Sequence, residues 1–276
     1  MKPKWTGERL ESHIHNLTTL EHLHRYALAG EYSAQRSVLD IACGDGYGSA
    51  LLAKSASRVI GVDIDPGTIA TARQKYSAPN LEFRTGRADA IPADDASFDL
   101  VVSFETIEHH DRHEEMLAEI RRVLKPGGLL VMSSPDRKYY SEIPRYKNPF
   151  HVKELSESEF KALIRRNFSH ATFFAQRAGF LSLLLPEDHP AKIDAYHGSY
   201  DAVQPAADWG PLYWTTIASN APLPASHPRT AFVGDALLSR MGAEVAANVR
   251  NTRDFRLGAF LLRPLRALKR LLGKTE

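Results

Sequence analysis

Val38-Leu-Asp-Ile-Ala-Cys-Gly-Asp-Gly-Tyr-Gly-Ser49 decides how this chain folds. Val38, Leu39 and Ile41 form a short apolar run of the kind found in a strand buried on both faces. Gly44, Gly46 and Gly48 follow at once, and Ala50, Leu51, Leu52 and Ala53 then resume the apolar pattern at helical spacing. The reading is a strand, a tight turn and a helix N-terminus, with Asp40 inside the strand end. Glycines in such a turn admit positive φ and let a ligand approach the backbone, while the free N–H groups of the helix favour an anionic group. A dinucleotide fingerprint would need G-x-G-x-x-G, whereas this chain has G-x-G-x-G. No G-x-x-x-x-G-K-[ST] is present, which excludes a P-loop.

The alternation continues downstream. Arg58–Asp63 reads as a second strand that ends on an acid, placed to accept hydrogen bonds from both hydroxyls of a ribose. Asp65-Pro66 opens a helix with proline near its first turn, running to about Tyr76. Leu81–Arg84 and Phe98–Phe104 are the third and fourth strands, with Gly86-Arg-Ala-Asp89-Ala90 between them. Glu114–Val123 is an amphipathic helix, and Leu124-Lys-Pro-Gly-Gly128 turns into a fifth strand ending at Ser133. Ser156-x-x-Glu159 is a capping box for a helix ending near Asn167. Ala171–Arg177 and a last strand around Tyr213–Ala218 follow. Strands alternating with helices predict a parallel sheet covered on both faces, with ligands at the carboxyl ends of its strands. Upstream, Leu17–Ala29 predicts a helix with Thr18 or Thr19 near its cap. Its polar side, with His22 and His24, is either a solvated face or a cover over the ligand; histidines two apart on a helix diverge and make poor joint metal ligands.

The (hydrophobic)-Leu-Asp-Ile-Ala-Cys-Gly-x-Gly turn, Asp63, Asp89-Ala90 and Leu-Lys-Pro-Gly-Gly stand in one order over residues 36–135. Together they resemble the class I S-adenosylmethionine (SAM) methyltransferases. The resemblance implies an α/β, Rossmann-like fold with a mostly parallel seven-stranded sheet. It implies SAM held by Arg25, Tyr26, Asp40, Ala42, Gly44, Gly46, Tyr47, Asp63, Ile64, Asp89, Ala90 and Phe104. Within it, Arg25 or Tyr26 would reach the cofactor's carboxylate from a cover helix, Ile64 would lie against the adenine, and Asp89 would bind the adenine amino group.

Glu105-Thr-Ile-Glu108-His109-His110 stands straight after the fourth strand, where a transferred methyl must sit. If the stretch makes one helical turn, Glu105, Glu108 and His109 share a face at i, i+3 and i+4. Two carboxylates and an imidazole repel one another there unless a cation joins them, and mixed oxygen and nitrogen ligation favours Mg²⁺ or Mn²⁺. The competing reading has Glu105 lining the cofactor site, Glu108 capping a helix and His109 acting as a base. E-x-x-E-H also resembles a metal motif of small-RNA 2′-O-methyltransferases and ubiquinone-pathway O-methyltransferases. That resemblance implies His151 as a further ligand beside Glu105, Glu108 and His109. A bound metal would lower a hydroxyl pKa, and His110 or a water would take the proton; the catalytic set is then Glu108, His109 and His110.

At 276 residues with 43% hydrophobic content the chain can bury a full core. A net charge of +2 gives no nucleic-acid signature, and no nucleic-acid partner is expected. Cys43 is the single cysteine, which fits a reducing compartment and a small residue lining a turn rather than a nucleophile. The first residues lack the apolar run of a signal peptide, and no window reaches membrane-span length. The expected organisation is a cover helix in 1–35, a methyltransferase domain in 36–220 with an insertion at about 180–210, and a helical extension in 221–276. Arg137, Lys138, Tyr139, Tyr140, Arg145, Tyr146 and Lys147 mark a loop that either closes on an acceptor or is simply solvated. In 253–274 apolar and basic residues separate into faces, a pattern that can lie on an anionic membrane, on its own domain or on a homodimer partner. "EHLHRY", "SFETIEHH" and "NPFHVKEL" resemble bacterial methyltransferases of cell-surface glycan assembly. The resemblance implies O-methylation of a sugar hydroxyl on a polysaccharide or lipid-linked glycan, in the cytoplasm or at the inner membrane face. Catechol or quinol O-methylation is the rival activity, and a non-catalytic SAM-binding module the rival class.

Overall fold

A computed structural model describes residues 10–179, 181–186, 196–198, 203–205, 210–224, 230–253 and 255–257. It divides into two compact units, 1–233 and 234–276. In the first, α1 (Leu17–Glu31) is followed by β1 (Ser37–Ile41), α2 (Tyr47–Leu52), β2 (Arg58–Asp63), α3 (Pro66–Lys75), β3 (Leu81–Thr85) and β4 (Phe98–Ser103). Then come a 3₁₀ turn at Ile107–His109, α4 (His113–Val123), β5 (Leu124–Pro135), a π-helical turn at Lys138–Glu142 and α5 (Glu157–Asn167). The remaining strands are β6 (His170–Ala178), β7 (Leu181–Pro186), β8 (Tyr196–Gly198), β9 (Val203–Pro205), β10 (Tyr213–Ser219) and β11 (Thr230–Val233). The second unit carries α6 (Asp235–Asn251).

Helix starts follow from local chemistry. Asn16 caps α1 through Thr19 N–H, and the Thr19 hydroxyl accepts in return from Asn16 N–H. Asp65 caps α3, accepting from the N–H groups of Gly67 and Thr68, with Pro66 in the first turn. Ser156 and Glu159 form the expected capping box at α5. In the glycine turn Gly44 and Gly46 hold φ of +55° and +90°. A Cβ on Gly46 would come within 2.7 Å of the Phe83 ring, so the turn needs glycine there for both conformation and space.

The main sheet has nine strands in the order β11-β7-β6-β10-β5-β4-β1-β2-β3, against the seven expected. β3, β2, β1, β4 and β5 are parallel neighbours, and β10 enters antiparallel between β5 and β6. β7 and β11 are the two additions, paired antiparallel beyond β6. The apolar runs of the central strands have no polar face, and the pleat divides them between two cores. Leu39, Val101, Leu130, Met132 and Phe173 pack with α4 and α5 residues such as Met116, Ile120 and Phe160. Their neighbours Val38, Val102, Val131 and Phe174 pack on the other face with Leu28 of α1 and Leu52 of α2. Each such side chain contributes roughly 1.5–3 kcal/mol when buried. Order changes direction between β1 and β4, and a crevice opens at the carboxyl ends of those strands.

Of the insertion, β7 joins the main sheet and β8 pairs with β9 in a separate ribbon; His189 and the rest of 187–195 lie outside the described residues. Thr230–Val233, grouped above with the helical extension, is a sheet strand. Most of the basic tail, 258–274, lies outside the described residues. Among the described residues no helix is long and apolar enough to cross a membrane.

Candidate functional site

A cleft of about 330 Å³ occupies that crevice. Ala42, Cys43 and Gly44 form one wall, Asp63 and Ile64 another, and Gly86, Arg87, Ala88 and Asp89 continue it after β3. Phe104, Glu105, Thr106, His109 and His110 enter after β4, and Thr18, His22 and Tyr26 of α1 close over it.

Asp63 organises the turn. It accepts from Gly44 N–H at 3.1 Å and from Asp65 N–H at 2.9 Å, so one carboxylate ties the glycine turn to the end of β2. Ile64 beside it is 57% exposed, an apolar side chain left open in a cleft wall where a flat ring can cover it. Asp89 also lines the cleft, but Arg87 binds it through two hydrogen bonds and Arg112 pairs with it at 2.5 Å. The Arg87 hydrogen bonds hold its pKa down at about 2, so it is an ionised acceptor. Cys43 is buried, and burial raises its thiol pKa beyond any nucleophilic use.

Four residues expected at the cofactor are elsewhere. Asp40 is buried behind the turn, accepting from Tyr26 Oη at 3.2 Å and Ser49 Oγ at 2.7 Å. Burial pushes its pKa up to about 7 although both donors oppose the shift. Its work is to seat Tyr26 and α2 rather than to touch the ligand. Gly46 and Ala90 do not line the cleft. Arg25 is fully buried: it donates to Gln176 and Ser133, lies 4.4 Å over the Tyr213 ring, and pairs with Glu105 at 2.9 Å. A guanidinium so deep needs a carboxylate beside it, and it takes the one expected to bind metal.

Glu105 is therefore corrected as a metal ligand. Its carboxylate accepts from Arg25 and from Ser133 Oγ at 2.6 Å while the residue lines the cleft. The stretch makes no helical turn from Glu105: that residue has φ +51°, and the 3₁₀ turn begins two residues later. The i, i+3, i+4 face thus does not form. What converges is Glu108, His109 and His151, each offering a donor atom within 4.8 Å of the others. Glu108 Oε1 stands 3.9 Å from His109 Nε2 and 4.0 Å from His151 Nε2. His109 Nδ1 meets the Phe150 carbonyl at 3.1 Å, and His151 Nδ1 meets Glu154 Oε1 at 2.6 Å. Acceptors at both Nδ1 atoms place the protons there and leave the Nε2 atoms as acceptors, the tautomer that metal-binding imidazoles use. Asn148 Nδ2 donates to His151 Nε2 at 2.9 Å, a hydrogen bond that a cation bound there would displace. Glu108 Oε2 is buried without a hydrogen-bond partner, and burial followed by the nearby Glu105 raises the Glu108 pKa well above the carboxylate range. A partnerless carboxylate oxygen beside two oriented imidazoles fits a divalent cation.

The cluster lies between two openings. His109 lines the cleft, and His151 lines a shallower groove with Arg137, Ser141, Glu142, Tyr146, Lys147, Asn148 and Val152. The two imidazole rings are 5.1 Å apart. Tyr140 stacks on His151 at 5.2 Å. His110 is outside the cluster. It lines the cleft and lies edge-on to His113, with both ring nitrogens buried and unpartnered among the described residues. His22, read from sequence as on a face that is either solvated or a cover over the ligand but not assigned to the site, lines the cleft and meets Tyr47 Oη at 2.9 Å. The signal was available: Thr18, His22 and Tyr26 lie four apart and form one stripe of α1. His24, on another face of that helix, is buried against Ser182 and Thr230 rather than solvated.

Residues 39–132, the stretch that contributes the glycine turn, Asp63 and the segment after β4 to the cleft, match the family model described as "Methyltransferase domain". A relative in Mycolicibacterium smegmatis named "Probable S-adenosylmethionine-dependent methyltransferase" is 42% identical over 134 residues, 48% of this chain and 51% of that protein. A fatty-acid O-methyltransferase of the same organism is 29% identical over 158 residues, 56% of this chain and 55% of the relative. The chain thus spans about half the length of the curated relatives it matches. A solved SAM-dependent methyltransferase of Thermotoga maritima shares the fold with a TM-score of 0.54 at 20% identity, covering 74% of this chain and 91% of the other. The fold is the Rossmann-like one of class I methyltransferases.

Proposed function

We propose that this chain is a SAM-dependent O-methyltransferase acting on a sugar hydroxyl of a lipid-linked glycan, with Mg²⁺ or Mn²⁺ held by Glu108, His109 and His151. The observation that carries the reading is the position of the cluster, with a cofactor-sized cleft on the His109 side and a polar groove on the His151 side. Asp63 would take the ribose hydroxyls and Ile64 the adenine. When bound, a divalent cation supplies Lewis acidity that lowers the pKa of an acceptor hydroxyl.

The chain's own residues supply orientation. The Phe150 carbonyl and Glu154 fix the two imidazoles, and Arg25 with Ser133 fixes Glu105. SAM, when bound, would supply its methyl carbon to the hydroxyl oxygen as its carbon–sulfur bond breaks, with S-adenosylhomocysteine as the leaving product. The hydroxyl proton would pass to a water or to His110, which lines the cleft. Reactivity resides in the sulfonium, so positioning is the main contribution of the protein.

A groove that mixes Arg137, Glu142, Asn148 and the exposed Tyr146 ring suits a polyhydroxylated ring with an apolar face. The acceptor meant is one assembled at the cytoplasmic face of the inner membrane. A second reading, methylation of a simple lipid, is favoured by the relative named as a fatty-acid O-methyltransferase. The test is transfer of labelled methyl from SAM, with Mn²⁺, to a lipid-linked glycan fraction, to fatty acids and to a catechol. Label in the glycan, lost with chelator and in Glu108→Gln, is expected. Label only in fatty acids would move the assignment to the second reading. No transfer to any acceptor by protein that binds S-adenosylhomocysteine would contradict the enzymatic reading.

A further inference from the structure

The segment that closes the groove has an unusual surface. Ile143, Tyr146, Phe150 and Val152 are 44%, 51%, 38% and 64% exposed. Within ten residues they make up four of the seven large apolar side chains exposed among the described residues of the first unit. Another of the seven, Ile64, belongs to the cofactor cleft. Tyr146 and Val152 line the groove, and apolar side chains exposed together in one short segment beside a groove point to an interaction surface rather than ordinary surface scatter. Residues 137–153 also carry Arg137, Lys138, Arg145, Lys147 and Lys153 against a single acid, Glu142. Glu142 is taken up by Arg137, while Arg145, Lys147 and Lys153 are exposed.

The segment is tied to the site at its far end. The Phe150 carbonyl meets His109, and the N–H groups of Val152 and Lys153 donate to the Glu108 carbonyl at 2.8 and 3.1 Å. Whatever seats the exposed apolar side chains therefore orients the groove mouth as well.

We propose that residues 143–153 form an interfacial docking loop, placing Ile143, Tyr146, Phe150 and Val152 in the headgroup layer of an anionic bilayer while Arg145, Lys147 and Lys153 meet its phosphates. The charge of the loop selects the occupant: apolar side chains interleaved with cations complement an anionic lipid surface, with the apolar contact supplying depth and the cations recruitment. This surface is separate in sequence from the basic tail at 253–274. It deepens the acceptor reading above, because a lipid-linked acceptor would reach the His151 groove without leaving the membrane.

Flotation of the full chain with vesicles tests it, comparing neutral phosphatidylcholine with a mixture holding about 30 mol% anionic phosphatidylglycerol. The wild type should float with anionic vesicles and release at high salt. Ile143→Ser/Phe150→Ser and Arg145→Glu/Lys147→Glu should each weaken binding about tenfold or more. Both double variants should keep the wild-type melting temperature and S-adenosylhomocysteine affinity, which separates lost docking from lost folding. Three results would overturn the proposal: no vesicle binding by the wild type, loop variants that bind like the wild type, or a dimer that the Ile143/Phe150 variant splits without any vesicle binding. The assay needs neither metal nor methyl transfer, so its failure is distinguishable from failure of the proposed chemistry.

Discussion

Glu108 shows how one residue's surroundings choose its partner. Among the described residues its Oε2 has no hydrogen-bond partner, and the Arg25 guanidinium is already paired with Glu105. In water this would cost little; buried, it leaves an oxygen that only a proton or a cation can satisfy. Asp63 differs in using its oxygens on Gly44 and Asp65 N–H groups. Asp63→Ala should therefore weaken S-adenosylhomocysteine binding by about tenfold or more, read by calorimetry, since it removes the tie on the turn together with the proposed ribose partner. Asp40 allows a test with a definite sign. Its folded pKa of about 7 exceeds the unfolded value near 3.8, so the unfolded chain ionises first. The stability of wild type minus Asp40→Asn should fall as pH rises from about 4 to 7. A difference that rises over that window would contradict the buried placement of Asp40.

At the scale of elements, α1 connects the cofactor cleft with the added edge of the sheet. One stripe (Thr18, His22, Tyr26) faces the cleft, while His24 reaches Ser182 of β7 and Thr230 of β11. Burial first, then the Arg25 charge, lowers the His24 pKa to about 4. The unfolded chain therefore binds the extra proton between about pH 4 and 6.5, and stability gained from neutral His24 is lost as pH falls through that window. The difference between wild type and His24→Gln, which keeps a hydrogen-bonding side chain, should shrink on acidification, the reverse of the Asp40 sign. Gly48 fixes how α2 meets α1: a Cβ there would overlap the Tyr26 ring. Gly48→Ala should cost about 1–3 kcal/mol in denaturant unfolding and weaken cofactor binding by displacing Tyr26. The regular elements were legible because apolar runs and caps are local: β2 has the expected bounds, and Ser156 and Glu159 announced α5. Partners distant in sequence were not legible. Arg25 and Glu105 are eighty residues apart, and no local pattern says which carboxylate a buried arginine takes. β7 and β11 escaped because their role depends on pairing with each other at the edge, while the left-handed φ at Glu105 broke the helical spacing on which its ligand role was argued.

On the scale of the whole molecule, strand order sets the chemistry. The change of direction between β1 and β4 brings the glycine turn, Asp63 and the segment after β4 to one crevice, although they are spread over some seventy residues of chain. The first unit should be stabilised by its ligand through mass action. S-adenosylhomocysteine at about a hundred times its Kd should add about 2.7 kcal/mol, a rise of roughly 5–10 °C in Tm, whereas NAD should add none. On the proposed reading, Glu108, His109 and His151 form a cation site between the cleft and the groove. The measurement that tests it most directly is Mn²⁺ calorimetry on protein saturated with S-adenosylhomocysteine, beside Glu108→Gln. Binding of one ion per chain, abolished in the variant while its S-adenosylhomocysteine affinity stays within about threefold, is the predicted result. No Mn²⁺ or Mg²⁺ binding by the wild type, or unchanged binding by Glu108→Gln, would contradict the account.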